Sequence, residues 1–140
     1  MRRIFSYLVL AVISMATVVA GSKPTTLKKA LKNDFYIGTA LNRSQYLGQD
    51  AKAYELVPKQ FSAIVAENCM KNEKLQPREG EFFFDDADKF IAYGKKNKMF
   101  ITGHTLIWHS QAPSWFFVDS EGKEVSKEVL IERMRKHIHT

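Results

Sequence analysis

Apolar and polar positions alternate between two spacings along the chain. Three short apolar runs predict β-strands, and after each of them apolar residues recur at helical spacing. The predicted strands are Phe35–Asn42 ("FYIGTALN"), Ala63–Asn68 ("AIVAEN") and Met99–Trp108 ("MFITGHTLIW"). The order strand, helix, strand, helix, strand, helix predicts parallel strands joined by right-handed crossovers, and therefore an α/β fold.

The sequence predicts where two of the three helices begin, and it places a proline in the other. The first contains Pro58, which must lie in the first turn or kink the helix. Asp85 or Asp86 is predicted to cap the second helix, and Ser126 the third. Residues 70–84 predict a loop with turn residues Pro77 and Gly80. The apolar stripes are Ala53, Leu56, Val57, Phe61 and Ile64 in the first helix, Ala87, Phe90, Ile91 and Gly94 in the second, and Leu130, Met134 and Ile138 in the third.

Each predicted strand is apolar at its start and polar at its end. Asn42 closes the first strand, Glu67 and Asn68 close the second, and His104 and Trp108 lie at the end of the third. Parallel strands bring these ends to one edge of the sheet, where (β/α)8 barrels and doubly wound sheets both build their active sites. The pattern locates a candidate site and leaves both folds open. Because no GxGxxG or P-loop pattern is present, a nucleotide-binding wound sheet loses its main support.

The first residues of the chain are predicted to be a signal peptide spanning residues 1–20. Arg2 and Arg3 precede an uncharged apolar run, and small residues follow it, so cleavage is expected after Ala20. The alternative is a membrane anchor, for which a run of about 17 residues is at the lower limit. We therefore expect a secreted protein, extracellular or periplasmic, with a linker at residues 21–34, a domain at residues 35–140, and no membrane contact after cleavage.

The charge pattern argues against a nucleic-acid partner, and the cysteine count excludes an internal disulfide. The 140-residue chain carries 21 Lys and Arg against 15 Asp and Glu, a formal net charge of +6. Lys95, Lys96 and Lys98 cluster where the second helix should end, a place that suits cations, and no basic-aromatic module accompanies them. We therefore do not expect a nucleic-acid partner.

Cys69 is the single cysteine, which excludes an internal disulfide, and its apolar neighbours predict a buried, inert thiol.

The segment Gly103–Trp115, "GHTLIWHSQAPSW", concentrates histidine and tryptophan. An extended strand would place His104 and His109 on opposite faces, so we expect no shared metal. HExxH is absent, and so is the GxSxG context that a nucleophilic Ser110 would need. His104 and Trp108 would share one face, where an imidazole donor beside an indole plane suits a sugar ring. The alternative is that both are core residues with satisfied N–H groups.

Glu67, Asn68 and Lys71 offer a carboxylate, an amide and an ammonium within five positions. Such a set can donate and accept hydrogen bonds at several points, as a polyhydroxylated substrate requires. The alternative is a capped loop with a surface lysine. Hydrolysis of a glycosidic bond needs two carboxylates flanking that bond, and Glu67 is one candidate. The other acidic candidates, which have no evident partner, are Glu73, Glu79 and Asp119.

Three segments together resemble a known family. "FYIGTALN", "AIVAENCMKNEKLQPREGEFFFDDADKFIAYGKKN" and "FITGHTLIWHSQAPSWFF" resemble the start of the catalytic domain of glycoside hydrolase family 10, the endo-1,4-β-xylanases. The resemblance spans residues 27–140. It implies a (β/α)8 TIM barrel, of which this chain holds about the first three βα units. It also implies cleavage of β-1,4-xylan with retention, without a cofactor or a metal.

The resemblance also implies roles for individual residues. Six match sugar-contacting positions of the family: Glu67, Asn68 and Lys71 on the non-reducing side of the cleaved bond, and His104, Trp108 and Gln111 close to that bond. His109 matches a position that supports them, and Trp115 is expected to pack the loop. The expected ligand is xylan or a xylooligosaccharide.

The family's two catalytic glutamates have no counterpart in this sequence. The resemblance places the general acid/base after an Asn at the end of a fourth strand and the nucleophile at the end of a seventh, both expected beyond Thr140. We therefore expect the 140-residue chain alone to be inactive. The alternative is a non-catalytic chain that binds xylan or another carbohydrate.

Overall fold

The described residues form a three-stranded parallel sheet with helices between the strands. The computed structural model describes residues 25–140, so the predicted signal peptide lies outside the described residues. The strands are β1 (Gly38–Leu41), β2 (Ala63–Ala66) and β3 (Phe100–Thr102), in the order β1-β2-β3. The helices of this part of the chain are α1 (Leu27–Ala30), α2 (Arg43–Tyr46), α3 (Ala51–Gln60), α4 (Asn72–Leu75), α5 (Asp85–Lys96) and α6 (Lys127–His139), with a 3₁₀ turn at Ser114–Phe116.

This arrangement confirms the predicted parallel α/β order. Within residues 25–140, no helix is both long enough and apolar enough to cross a bilayer. The segment predicted as a linker holds α1, which is attached to α3: the Leu27 amide donates to Gln60 Oε1 at 3.0 Å, and Lys28 Nζ donates to the Pro58 carbonyl.

The core lies on one face of the sheet. The register aligns Thr39, Ile64 and Ile101 across the three strands, and this row faces the helices together with Leu41. The cluster of buried core residues is Leu41, Tyr46, Val57, Ile64, Ala66, Phe90, Tyr93 and Met99. On the other face the outer strands expose Ala40 and Phe100. One face of the sheet is therefore packed by helices, and the opposite face is open along its outer strands.

The third strand is much shorter than its apolar pattern predicts. The prediction that it runs to Trp108 is wrong, because β3 ends at Thr102. After that point the backbone bonds to the loop that follows β2: the Thr105 amide donates to the Met70 carbonyl at 3.4 Å, and the Leu106 carbonyl accepts from Asn72 Nδ2 at 2.8 Å. Backbone groups need partners, and here a neighbouring loop supplies them in place of a strand.

Helix starts follow the predictions in part. Ser126 caps α6 as predicted, with its side chain accepting from the Val129 amide at 3.4 Å. The prediction that Asp85 or Asp86 caps the second helix is wrong, because Phe84 holds the cap position and both aspartates lie in the first turn of α5. There they still favour the helix electrostatically, since carboxylates are stabilised near a helix N-terminus. The predicted loop at residues 70–84 contains the short α4.

Pro58 lies in the last turn of α3 rather than in its first. A proline has no N–H, so it cannot donate to the carbonyl four residues earlier, which belongs to Tyr54. That carbonyl accepts from the hydroxyl of Tyr93 on α5 at 3.4 Å. The predicted stripe of this helix is only partly right: Val57 is buried, Leu56 is 51% exposed, and Ile64 belongs to β2.

Gly94 of α5 lies directly against the sheet. A Cβ added there would come within 2.6 Å of Ile101 Cδ1 and 3.0 Å of Ile64 Cδ1. Those distances are shorter than van der Waals contact, so the absence of a side chain lets the helix approach the strands. The predicted stripe of this helix, with Ala87 and Phe90 buried beside Gly94, is confirmed.

We expect Gly94→Ala to lower the free energy of unfolding by about 1–2 kcal/mol, because overpacking of about 1–3 kcal/mol exceeds the helix-propensity gain of about 1 kcal/mol. Urea unfolding followed by circular dichroism measures the change. Ala92→Gly, at an exposed position of the same helix, reports the propensity difference alone. Stabilisation by Gly94→Ala equal to the loss in Ala92→Gly would contradict the close approach.

We expect Tyr93→Phe to lower the free energy of unfolding by about 1 kcal/mol, because it leaves the Tyr54 carbonyl without its donor. In a Pro58→Ala background residue 58 regains an N–H for that carbonyl, so the same change should cost less. A double-mutant cycle from urea unfolding measures the difference. Tyr36→Phe, at an exposed tyrosine, is the control and should be neutral. Equal costs of Tyr93→Phe in both backgrounds would refute the compensation.

Candidate functional site

The loops that follow β2 and β3 meet at the carboxyl edge of the sheet, as predicted. Lys71, from the first loop, is only 6% exposed although it carries a charge. Its Nζ lies 2.7 Å from His104 Nδ1 and 4.5 Å from the centroid of the Trp108 ring. The rings of His104 and Trp108 are 5.9 Å apart in an edge-to-face arrangement. Three of the predicted site residues therefore form one cluster, which we call the Lys71 cluster.

The lysine determines which tautomer the neutral His104 ring adopts. An ammonium group can only donate, so Nδ1 of His104 must accept, and the neutral ring carries its proton on Nε2. The indole of Trp108 provides a second favourable contact for the cation through its negative face. His104 is an exposed residue, so we expect its Nε2–H to be available to a ligand.

Gln111 joins the same two loops by a second route. Its side-chain Nε2 donates to Asn68 Oδ1 at 3.0 Å and to Glu73 Oε1 at 3.3 Å. Its backbone carbonyl accepts from the Glu73 backbone amide at 3.0 Å. The backbone of Gln111 has φ +54°, a left-handed conformation that is unusual for this residue type. The structure therefore brings Asn68 and Gln111 together. Asn68 is in the same loop as Lys71, and Gln111 is in the same loop as His104 and Trp108.

Glu67 and His109 complete the set of predicted residues. Glu67 follows β2 directly, is exposed, and donates its amide to the Leu41 carbonyl at 3.0 Å. The ring of His109 lies 5.4 Å from Trp108, edge to face. His104 and His109 do not lie on opposite faces of an extended strand as predicted, because β3 ends before both. In residues 25–140, no three His, Cys, Asp or Glu side chains are placed to hold a metal.

An open depression of about 770 Å³ adjoins the site at Asn68. Its walls come from the loop after β1, the loop after β2, and the start of α5. Polar and charged side chains along it are Asn42, Arg43, Ser44, Gln49, Lys74, Asp85, Asp86 and Lys89. Asn42 also caps α2 by accepting from the Gln45 amide at 3.3 Å. Of these residues, only Asn42 was predicted to lie at this edge of the sheet.

Two residues near the site, Cys69 and Trp115, pack against the protein. Burial raises the pKa of the Cys69 thiol, which favours its protonated form. The side chain is half-buried, whereas the sequence predicted a buried thiol. The Trp115 indole donates to the Gln76 carbonyl at 3.1 Å and stacks on Phe116 at 4.0 Å. These contacts agree with the expectation that Trp115 packs the loop.

Buried polar residues behind the site were missed by sequence reasoning. Asn72, Gln76 and His137 are at most 9% exposed and are bonded to one another. The predicted stripe of α6 included Ile138, which is 41% exposed, and the buried position is its neighbour His137. Helical spacing from Leu130 and Met134 reaches residue 137 as readily as 138, so the spacing contained the signal.

The family model described as glycosyl hydrolase family 10 matches residues 26–140. The chain belongs to glycoside hydrolase family 10. The match includes β1 to β3 and both loops of the site.

Relatives within family 10 agree with this assignment. Endo-1,4-β-xylanase A of Xylanibacter ruminicola is 42% identical over 99% of this chain and 37% of that protein. A psychrophilic family 10 endo-β-1,4-xylanase of known structure is 38% identical, with a TM-score of 0.76 over 81% of this chain and 34% of that one. A mutant xylanase of Thermoanaerobacterium saccharolyticum, solved with xylotetraose, is 43% identical, with a TM-score of 0.76 over 82% of this chain and 36% of that one. The chain thus spans about a third of the length of these relatives.

We expect Lys71→Met to change the tautomer of His104, because the acceptor at Nδ1 loses its donor. Imidazole ¹⁵N shifts, recorded at a pH where the rings are neutral, should show Nε2–H alone in the wild type and a mixture of tautomers in the variant. The exposed His139 is an internal control and should be unchanged. A His104 ring that keeps a single Nε2–H tautomer without Lys71 would contradict this assignment.

Proposed function

We propose that the protein takes part in the endo-hydrolysis of β-1,4-xylosidic bonds in xylan by a retaining two-carboxylate mechanism. In this proposal residues 25–140 form the first part of a (β/α)8 barrel and supply a sugar-binding surface. The observation that carries it is the Lys71 cluster, a desolvated ammonium held between an imidazole and an indole at the carboxyl edge of a parallel sheet. Family membership and the names of the relatives support the substrate class. The apolar run after Arg2 and Arg3 supports export of the protein.

The chemistry of the surface suits a xylose ring. The indole of Trp108 offers an apolar plane to the C–H groups of a sugar, and His104 Nε2–H beside it donates to a hydroxyl. Glu67 and Asn68 add a carboxylate and an amide, which accept and donate respectively. Binding sites for small ligands commonly combine an apolar wall with a few placed polar groups in this way.

The acid–base chemistry requires a different set of groups. Retention needs two carboxylates about 5–5.5 Å apart on either side of the bond. Glu73 is tied to Gln111 and lies 3.6 Å from Lys74 Nζ, so its carboxylate is engaged in holding the loops together. We therefore assign sugar binding, rather than proton transfer or nucleophilic attack, to the site residues of this chain.

We expect the 140-residue chain to bind xylotetraose without releasing reducing sugar from xylan. Trp108→Ala should weaken binding by about tenfold or more, because it removes most of the apolar plane. Titration calorimetry measures both affinities. Trp115→Phe is the control: it changes the other tryptophan, keeps the stacking on Phe116 and loses the bond to the Gln76 carbonyl, which lies outside the proposed sugar-binding surface. Equal affinity for cellotetraose would contradict the substrate class, and no binding by the folded chain would overturn the proposal.

A second experiment separates a xylanase from a non-catalytic xylan-binding protein. Residues 26–140 would replace the matching segment of the Xylanibacter ruminicola enzyme. A graft that hydrolyses xylan and loses activity on Trp108→Ala supports the proposal. A graft that binds xylan without hydrolysing it favours the non-catalytic alternative.

A further inference from the structure

His137 of α6 is a buried histidine whose protonation state is determined by its partners. Its Nδ1 lies 2.8 Å from Gln76 Oε1, and its Nε2 lies 2.7 Å from Asn72 Nδ2. A carboxamide oxygen can only accept and a carboxamide nitrogen can only donate. The ring therefore carries its proton on Nδ1 and accepts at Nε2, which is possible only in the neutral form.

Asn72 connects this histidine to both loops of the site. Its Nδ2 donates to the Leu106 carbonyl at 2.8 Å as well as to His137. Asn72 follows Lys71 directly in the chain, and Leu106 lies between His104 and Trp108. The side chain is fully buried, and its Oδ1 has no hydrogen-bond partner among the described residues. The amide orientation is thus determined by its two donated bonds alone.

We propose that His137 is a positioning residue, which holds the Asn72 amide toward Leu106 and thereby fixes the Lys71 cluster for sugar binding. This inference rests on the proposed function of that cluster. His137 touches none of the groups that would contact the sugar and acts through Asn72.

Protonation of His137 would reverse the arrangement. An imidazolium has N–H groups at both nitrogens, so Nε2–H would face an N–H of Asn72. Turning the amide would present Oδ1 to the ring and satisfy that atom, but the bond to Leu106 would be lost. Leu106 would then lose its bond from Asn72, which is one of the bonds that hold the loop carrying His104 and Trp108.

The surroundings of His137 favour the neutral form. Its ring lies 5.5 Å from that of Phe116 and 6.3 Å from that of Phe82. Burial lowers the pKa of His137, and its contact with Leu106 opposes that shift. The other titratable or charged groups near it are Asp88 of α5 and His104 of the loop after β3, which line the same cavity, and Arg133 one turn earlier on α6, which is 3.0 Å from Glu79.

The sign of the pH dependence follows from that direction. The stabilising arrangement is fully present above the ordinary histidine pKa of about 6.5. It is lost as the pH falls through the lower pKa of His137 in the folded protein.

The experiment compares three variants of the full chain with the wild type. His137→Gln keeps one acceptor and one donor without titrating, His137→Phe removes both, and His139→Gln changes an exposed histidine of the same helix. Affinity for xylotetraose is measured by calorimetry across the acidic range. The indole N–H resonance of Trp108 is followed by NMR without ligand, and Trp115→Phe assigns it.

We expect His137→Phe to weaken xylotetraose binding by about tenfold at neutral pH and to shift the Trp108 resonance, because a buried hydrogen-bond pair is lost. His137→Gln should keep the wild-type affinity at neutral pH. The affinity of the wild type and of His139→Gln should fall in the acidic range, and in His137→Gln the part of this fall that is due to His137 should be absent. An unchanged Trp108 resonance in His137→Phe, or a wild-type pH profile in His137→Gln, would overturn the inference.

If the folded wild type binds no xylotetraose, the proposed function fails, and the Trp108 resonance still decides the role of His137. If His137→Phe does not fold, the pH dependence of that resonance in the wild type and in His137→Gln decides it.

Discussion

Among residues 25–140 no strand pairs with the loop after β3, and the site depends on how the backbone groups of that loop find partners. They bond to the loop after β2, through Met70 and Asn72. A buried polar group without a partner costs as much as a lost hydrogen bond, so these bonds hold the two loops in one arrangement. The residues between them, His104 and Lys71, are brought within hydrogen-bond distance as a result.

A charged side chain in this position is stable only because its partners are already in place. Lys71 exchanges water for an imidazole nitrogen and an aromatic face, and both belong to the loop that the backbone bonds fix. Removing water from an ammonium is costly unless such partners compensate. The site is therefore organised before any ligand arrives, which reduces the ordering cost of binding.

Sequence patterns predicted the order of elements and the edge where the site lies, because both depend on local periodicity. The length of β3 was not predictable from its apolar residues. Leu106 continues the apolar run but is 65% exposed, since hydrogen bonds to a distant loop replace strand pairing. His137 was missed for a related reason: a stripe of apolar residues marks the buried face of a helix, and a buried histidine breaks that rule. Its burial depends on Asn72 and Gln76, more than 60 positions earlier. Gly94, by contrast, followed from helical spacing alone.

The hydrogen bond from Tyr93 to the Tyr54 carbonyl has a mechanical consequence. Apolar contacts between α3, α5 and the sheet are non-directional and change little when one helix slides along its neighbour. A bond from a hydroxyl to one particular carbonyl is directional, so sliding one helix along the other would weaken it. Pro58 leaves that carbonyl without an N–H from its own helix, so the carbonyl is available to a donor on α5, and the bond links the two helices at one position.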